Sequence, residues 1–153
     1  MEDKKNQEPT EQQLLEMMNY GVKFYNIVLF LSCIIYITYV LVSKNTSEHF
    51  FSIMIYLAVI IEGCILRGKY KLMQKTTRYN TEKIKLEDFT KTFISSINMT
   101  RILKFFILIL IVFNLFAGSG FTKIFLLSTI FVACILSMVI NKTAVAYLEK
   151  LKS

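Results

Sequence analysis

The sequence is poor in the residues from which most metal sites and active sites are built. It contains one histidine, one proline and three cysteines in 153 residues. The single histidine is too few for the histidine and carboxylate clusters of membrane metalloproteases. The sequence also lacks a Walker motif, a dinucleotide fingerprint and a Cys/His ligand spacing. It therefore predicts no catalytic residue, no metal site and no cofactor.

The cysteines and the proline exclude two further classes of protein. Cys33, Cys64 and Cys134 are odd in number, form no CxxC pair and lie inside apolar runs, so they predict no disulfide framework. We expect them to be small apolar packing residues. The proline, Pro9, precedes the first apolar run. The runs therefore lack the proline breaks that mark binding sites in many transporters.

Long apolar runs are what the sequence has instead. Hydrophobic residues make up 54% of the chain, and the 19 residues from Phe24 to Val42 carry no charge. Similar runs cover residues 50–66, 105–117 and 124–140. Each is long enough to cross a hydrocarbon core of about 30 Å as a helix, the one single-segment conformation that satisfies its own backbone in lipid. A soluble bundle would place a polar residue every three or four positions, and residues 107–113 contain none.

The sequence thus predicts an all-α, polytopic integral membrane protein that forms a single membrane domain over residues 1–153. It has four transmembrane helices and an amphipathic cytosolic helix between the second and the third. The first run is too long for a signal peptide and has no cleavage site behind it, so we expect it to be retained as a span. The predicted spans are 22–43, 49–66, 102–118 and 121–141. The remaining segments are an amino-terminal stretch (1–21), a basic loop (67–101) that contains the amphipathic helix (86–98), and a tail (142–153).

The basic residues predict the orientation of the spans. Of the eighteen lysines and arginines, all but Lys44 and Lys123 lie in, or within three residues of, the amino-terminal segment, the long middle loop or the tail. The positive-inside rule therefore makes both termini and the middle loop cytosolic. The net charge of +7 follows from this topology and indicates no nucleic-acid partner. A residue bias toward Ile, Lys, Asn, Phe and Tyr is typical of an AT-rich genome and predicts the cell membrane of a bacterium.

The amino-terminal segment carries a helix-start signal. Thr10 and Gln13 fit a capping box directly after Pro9. The signal predicts a helix from Glu11 that either lies on the membrane or lengthens the first span.

The middle loop carries a second helical pattern. Its apolar residues recur at helical spacing opposite charged residues. They are Leu86, Phe89, Phe93, Ile94 and Ile97. We predict that this helix lies on the anionic inner leaflet. The alternative is that its apolar face docks on the cytosolic ends of the protein's own helices.

Glu62 is the principal candidate site residue. It lies in the second span, roughly 6 Å from the inner edge of the bilayer core. An ionised carboxylate is unfavourable at that depth, and an intramembrane ionisable group is a functional candidate by default. Lys104 enters the third span at a similar depth, which favours an intramembrane ion pair between the two. The alternative is a coupling site at which Glu62 binds a proton or a cation.

Other polar residues predict helix contacts. Ala133, Ser137 and Asn141 repeat every four residues and form a candidate helix-packing face, either inside the protein or between molecules. Asn114 is expected to bond across a helix interface. The same is expected of four polar residues of the first two spans, which are Asn26, Ser32, Thr38 and Ser52. His49 is expected to be a surface histidine at the outer end of the second span.

These features favour a non-enzymatic accessory, regulatory or bacteriocin-immunity-like partner of another membrane protein. The alternative is a small oligomeric ion-coupled transporter that uses Glu62. A membrane enzyme is the third class, but it lacks a candidate dyad. The predicted partners are the lipid bilayer with its anionic inner leaflet and either another membrane protein or a second copy of the chain.

Overall fold

The computed structural model describes residues 9–43, 49–78, 86–117 and 120–152, and these residues form four α-helices. The helices are α1 (Glu11–Ser43), α2 (Phe50–Arg78), α3 (Leu86–Ala117) and α4 (Gly120–Lys152). Each is long and apolar enough to cross a membrane. The prediction of an all-α protein with four candidate transmembrane helices is confirmed at this level. At about 1.5 Å per residue, every helix also exceeds the roughly 30 Å of a hydrocarbon core.

The helices form an antiparallel bundle. α1 lies between α2 and α4, while α3 packs mainly on α2 and contacts α4 much less. Lys150 Nζ donates a hydrogen bond to the Pro9 carbonyl oxygen at 2.5 Å, so the start of α1 lies beside the end of α4. We call this the terminal end of the bundle; α1 and α3 begin here, and α2 and α4 end here. The other end is called the opposite end.

The outer surface of the bundle is apolar and its interior contains charge. Many large apolar side chains are exposed on every helix, among them Phe24, Phe30, Leu57, Phe105, Phe116 and Phe131. By contrast, Glu62, Lys69 and Asn114 are buried. This distribution is the reverse of the one that water favours. It suits a lipid environment, where polar groups must find partners inside the protein.

α1 begins at the predicted capping box. Thr10 N donates to Gln13 Oε1 at 2.8 Å, and Gln13 N donates to Thr10 Oγ1 at 3.3 Å. From Glu11 the helix continues without a break through the first span. Leu14 and Met18 are buried in the core, which holds these first turns against the bundle. The amino-terminal helix therefore lengthens the first span.

The amphipathic segment 86–98 is not a separate helix among the described residues. It forms the first turns of α3 and continues directly into the third span. The chain has no proline or glycine between Leu86 and Ala117 that would break the helix. Phe93 is completely buried and Ile97 packs against the core, whereas Ile94 is exposed. Phe93 and Ile97 thus pack on the protein's own helices, which is the alternative to a helix that lies on the lipid surface.

Two glycines allow α1 to approach its neighbours closely. A Cβ atom added at Gly21 would lie 2.9 Å from Ile140 Cγ1 of α4. A Cβ atom added at Gly63 would lie 3.1 Å from Tyr25 Cε1. Small residues have this role in many membrane helix contacts. The close approach at Gly63 places Tyr25 beside Glu62, the preceding residue of α2.

Candidate functional site

Glu62 lies in the centre of the bundle and is 1% exposed. Its Oε1 accepts a hydrogen bond from Ser137 Oγ at 2.5 Å, and its Oε2 accepts one from the Tyr25 hydroxyl at 3.2 Å. The Tyr25 hydroxyl also lies 3.1 Å from the Val59 carbonyl oxygen. Both carboxylate oxygens are therefore bonded by side chains from α1 and α4, which removes much of the penalty of burying this group.

Lys69 is a second buried charge, and sequence reasoning placed it in the basic loop. It lies two turns after Glu62 on the same face of α2 and is 2% exposed. Its Nζ donates to Asn141 Oδ1 at 2.8 Å and to Thr100 Oγ1 at 3.0 Å. The Thr100 hydroxyl in turn donates to the Ser96 carbonyl oxygen at 2.9 Å. The ammonium group thus bridges α3 and α4 from its position on α2.

The two buried charges belong to one hydrogen-bonded chain. Asn141 Nδ2 donates to Ser137 Oγ at 3.4 Å, which connects the Lys69 side of the chain to the Glu62 side. We call the connected set the polar network. Its members are Tyr25, Glu62, Lys69, Thr100, Lys104, Ser137 and Asn141. The network joins α1, α2, α3 and α4, so it constrains the rotation of each helix about its axis.

The structure brings Glu62 and Lys104 together, as proposed for an ion pair. Lys104 Nζ lies 3.9 Å from Glu62 Oε1, and the lysine side chain is 25% exposed. This distance is longer than a charge-assisted hydrogen bond. Since Tyr25 and Ser137 make the direct bonds to Glu62, Lys104 acts on the carboxylate through charge.

The predicted packing face on α4 lies inside the protein. Ala133 and Ser137 are buried, and Asn141 is partly buried. Two of the three residues use their polar atoms in the polar network, while Ala133 belongs to the apolar core. The face therefore serves as an internal seam of the bundle.

The polar network consists of contacts among the protein's own side chains. Tyr25 and Lys104 lie beside Glu62, and Lys69 is bound by Thr100 and Asn141. Among the described residues, no group of three His, Cys, Asp or Glu side chains is placed to hold a metal ion. Hydrogen bonds between membrane helices contribute only about 0.6 kcal/mol on average. We infer that the network mainly specifies which helix faces meet.

The remaining polar residues that were predicted to bond across helices divide into two groups. Asn114 Nδ2 of α3 donates to Ser52 Oγ of α2 at 2.6 Å, so this pair bonds across a helix interface as predicted. The other three predicted side chains donate to carbonyl oxygens of their own helix α1. They are Asn26, Ser32 and Thr38, at 2.9 Å each.

His49 is buried, which corrects its prediction as a surface histidine. It is 2% exposed, and its Nδ1 lies 3.1 Å from the Tyr36 hydroxyl. The rings of Tyr36 and Tyr39 meet it edge-on, with centroids 5.9 and 5.6 Å away. Tyr36 also stacks on Tyr56. Tyr36 and Tyr39 of α1 therefore flank the imidazole, and their helical spacing is the signal that the sequence offers.

A cleft of about 640 Å³ separates α3 from α4 in the half of the bundle nearer the terminal end. Lys104 lines this cleft, and so do Thr100 and Asn141, the two residues that bind Lys69. The polar network therefore reaches the surface here. Arg101 and Lys142, both exposed, add positive charge to the lining.

Comparisons with protein families, curated proteins and solved structures find no match to the chain.

Proposed function

We propose that this chain is a non-enzymatic accessory protein of a bacterial cell membrane, with both termini in the cytosol. In this proposal it acts by contact with another membrane protein, in the manner of a regulatory or bacteriocin-immunity protein. The single observation that carries the proposal is the polar network. Its charged groups have their bonding partners inside the bundle and unite the helices, so the contact surface is left to the apolar exterior.

The charges around Glu62 support this reading over ion coupling. Two ammonium groups, those of Lys69 and Lys104, belong to the same network as the one carboxylate. A cation that approached Glu62 would meet an excess of positive charge at short range, which opposes its binding. The carboxylate already has the partners that stabilise its charge.

Site-specific photo-crosslinking in the cells that naturally produce the chain tests the proposal. A photoreactive phenylalanine would replace one exposed phenylalanine at a time: Phe24 on α1, Phe105 on α3 or Phe131 on α4. We expect one helix face to crosslink reproducibly to one other membrane protein, and the remaining faces to serve as matched controls. Crosslinks to lipid alone from every face would contradict the proposal.

One observation favours a second candidate, an ion-coupled transporter. Lys104 contacts Glu62 and also lines the open cleft between α3 and α4. The carboxylate is therefore one side chain away from the exterior. Proteoliposomes with an imposed membrane potential and an internal pH dye would test this candidate. Proton uptake that disappears in Glu62→Gln would establish it, and equal traces for both proteins would favour the accessory function.

A further inference from the structure

We propose that the cleft between α3 and α4 binds one anionic phospholipid, with its phosphate among Arg101, Lys104 and Lys142 and an acyl chain along the apolar wall. This inference does not depend on the proposed function. It rests on the charge, the shape and the position of the cleft.

The charge of the cleft fits an anionic headgroup. Three cationic side chains line it, Arg101 and Lys104 from α3 and Lys142 from α4, against one carboxylate, Glu149. Two neutral polar residues, Thr100 and Asn141, line it as well, and both accept hydrogen bonds from the buried Lys69 ammonium. Lys69 therefore adds a fourth positive charge behind this part of the wall, and Glu62, 3.9 Å from Lys104, adds a second carboxylate, so the cations remain in excess by two.

The shape of the cleft fits an acyl chain. The lining is predominantly apolar, and its volume of about 640 Å³ lies within the range of roughly 300–1,000 Å³ that is usual for ligand pockets. Ile135, Met138 and Val139 of α4 lie on the side nearer the middle of the bundle. A chain attached to a phosphate at the basic residues would lie along them and continue into the bilayer.

The depth of the basic residues favours a lipid over a protein helix. Seventeen residues from Arg101 to Ala117 rise about 24 Å, less than the roughly 30 Å of a hydrocarbon core. When the end of α3 at Ala117 is taken as the other edge of the core, Arg101 and Lys104 lie slightly inside the near edge, where cations draw water and lipid phosphates toward them. A lipid phosphate is present in the adjacent headgroup layer. A partner helix would have to bring a carboxylate to the same depth, at a high desolvation penalty.

Native mass spectrometry of the purified full chain in mild detergent tests the site. The probes are phosphatidylglycerol and phosphatidylcholine, added separately at equal concentrations. We expect one phosphatidylglycerol molecule to remain bound, and phosphatidylcholine to bind at least about tenfold more weakly, because its phosphate is accompanied by a quaternary ammonium that the basic residues repel. High salt should release the bound lipid.

Two charge variants distinguish a site from general attraction. Arg101→Gln/Lys142→Gln removes two charges from the cleft. Lys23→Gln/Lys71→Gln removes two charges from exposed positions at the same end of the bundle, in a groove between α1 and α2. We expect the first variant to lose about tenfold or more in affinity for phosphatidylglycerol, and the second to bind like the wild type.

A pair of apolar variants provides a test that leaves every charge in place. Val139→Phe adds bulk to the wall of the cleft, whereas Val132→Phe adds the same bulk to another exposed position of α4. Only the first should weaken lipid retention. Equal losses in both charge variants, equal retention of both lipids, or a dimer that forms in place of the lipid complex would each overturn the proposal.

Discussion

A buried lysine in a membrane bundle is tolerated only if both its protons and its charge have partners. Lys69 has both: its ammonium bonds Asn141 and Thr100, and Glu62 lies two turns away on the same helix. Lys104 is in a different situation, since it is 25% exposed and stands 3.9 Å from the carboxylate. A long lysine side chain at such a position can extend toward the headgroups.

This contrast predicts different effects for the two lysines. Lys69→Met should lower the free energy of unfolding by about 2 kcal/mol, because Thr100 and Asn141 lose a charged partner inside the bundle. Lys104→Met should lower it by less than about 1 kcal/mol, since a partly exposed ion pair contributes little. Denaturation in mixed micelles would measure both. Equal losses of stability in the two variants would mean that Lys69 does not make the buried hydrogen bonds to Thr100 and Asn141.

The Glu62 carboxylate gives a second prediction at this scale. Glu62→Gln should lower stability, because Lys104 then loses its counter-charge while Tyr25 and Ser137 keep a side-chain partner. Adding Lys104→Met should recover part of that loss, with a coupling energy of about 1 kcal/mol between the two sites. The same denaturation assay yields the double-mutant cycle. A Glu62→Gln protein with wild-type stability but no biological activity would instead favour the coupling role.

Sequence reasoning reached some residues of the polar network and missed others for identifiable reasons. A carboxylate inside an apolar run is unfavourable enough to identify Glu62 directly. Lys69 resembles the many lysines that follow a span, and only its two-turn spacing from Glu62 distinguishes it. Tyr25 and Thr100 could not be selected, because their roles depend on which helix faces meet.

Among the helices, α3 departs most from its prediction. The amphipathic pattern at residues 86–98 is present in the sequence, but Phe93 and Ile97 of its apolar face pack on the protein and the helix continues into the span. Periodicity predicts that a face is apolar and does not predict what covers it. The start of α1 was better specified, because a capping box depends on residues three positions apart.

The packing of this segment can be tested on two adjacent residues. Phe93→Ala removes a completely buried ring and should destabilise the protein by about 3 kcal/mol. Ile94→Ala alters an exposed side chain on the same turn and should change stability by less than about 0.5 kcal/mol. Thermal unfolding in detergent would compare the two variants. Small and equal effects would restore the prediction of a helix that rests on the lipid surface.

At the scale of the whole molecule, the fold depends on an inverted distribution of polarity, in which the exterior is apolar and the interior contains charged side chains. Apolar runs in the sequence were sufficient to predict the number of candidate spans. They did not predict that α3 would leave a cleft beside α4, since the order of helices around the bundle depends on contacts such as those at Gly21 and Gly63. Nor do they specify which leaflet the terminal end faces; the distribution of lysine and arginine is the basis for that prediction.

Orientation is therefore the prediction that belongs to the whole molecule. Cys33, Cys64 and Cys134 are unpaired, so a cysteine-free background can be made by replacing them with alanine. Single cysteines would then be placed at Ser47, Asn80 and Ser119, which lie in the connections outside the described residues.

Impermeant maleimide on intact cells should label positions 47 and 119, and position 80 should react only after the membrane is opened. The reason is the positive-inside rule, because sixteen of eighteen basic residues lie in, or within three residues of, the segments predicted to be cytosolic. Labelling of position 80 on intact cells would reverse the orientation, and it would place the lipid cleft in the outer leaflet.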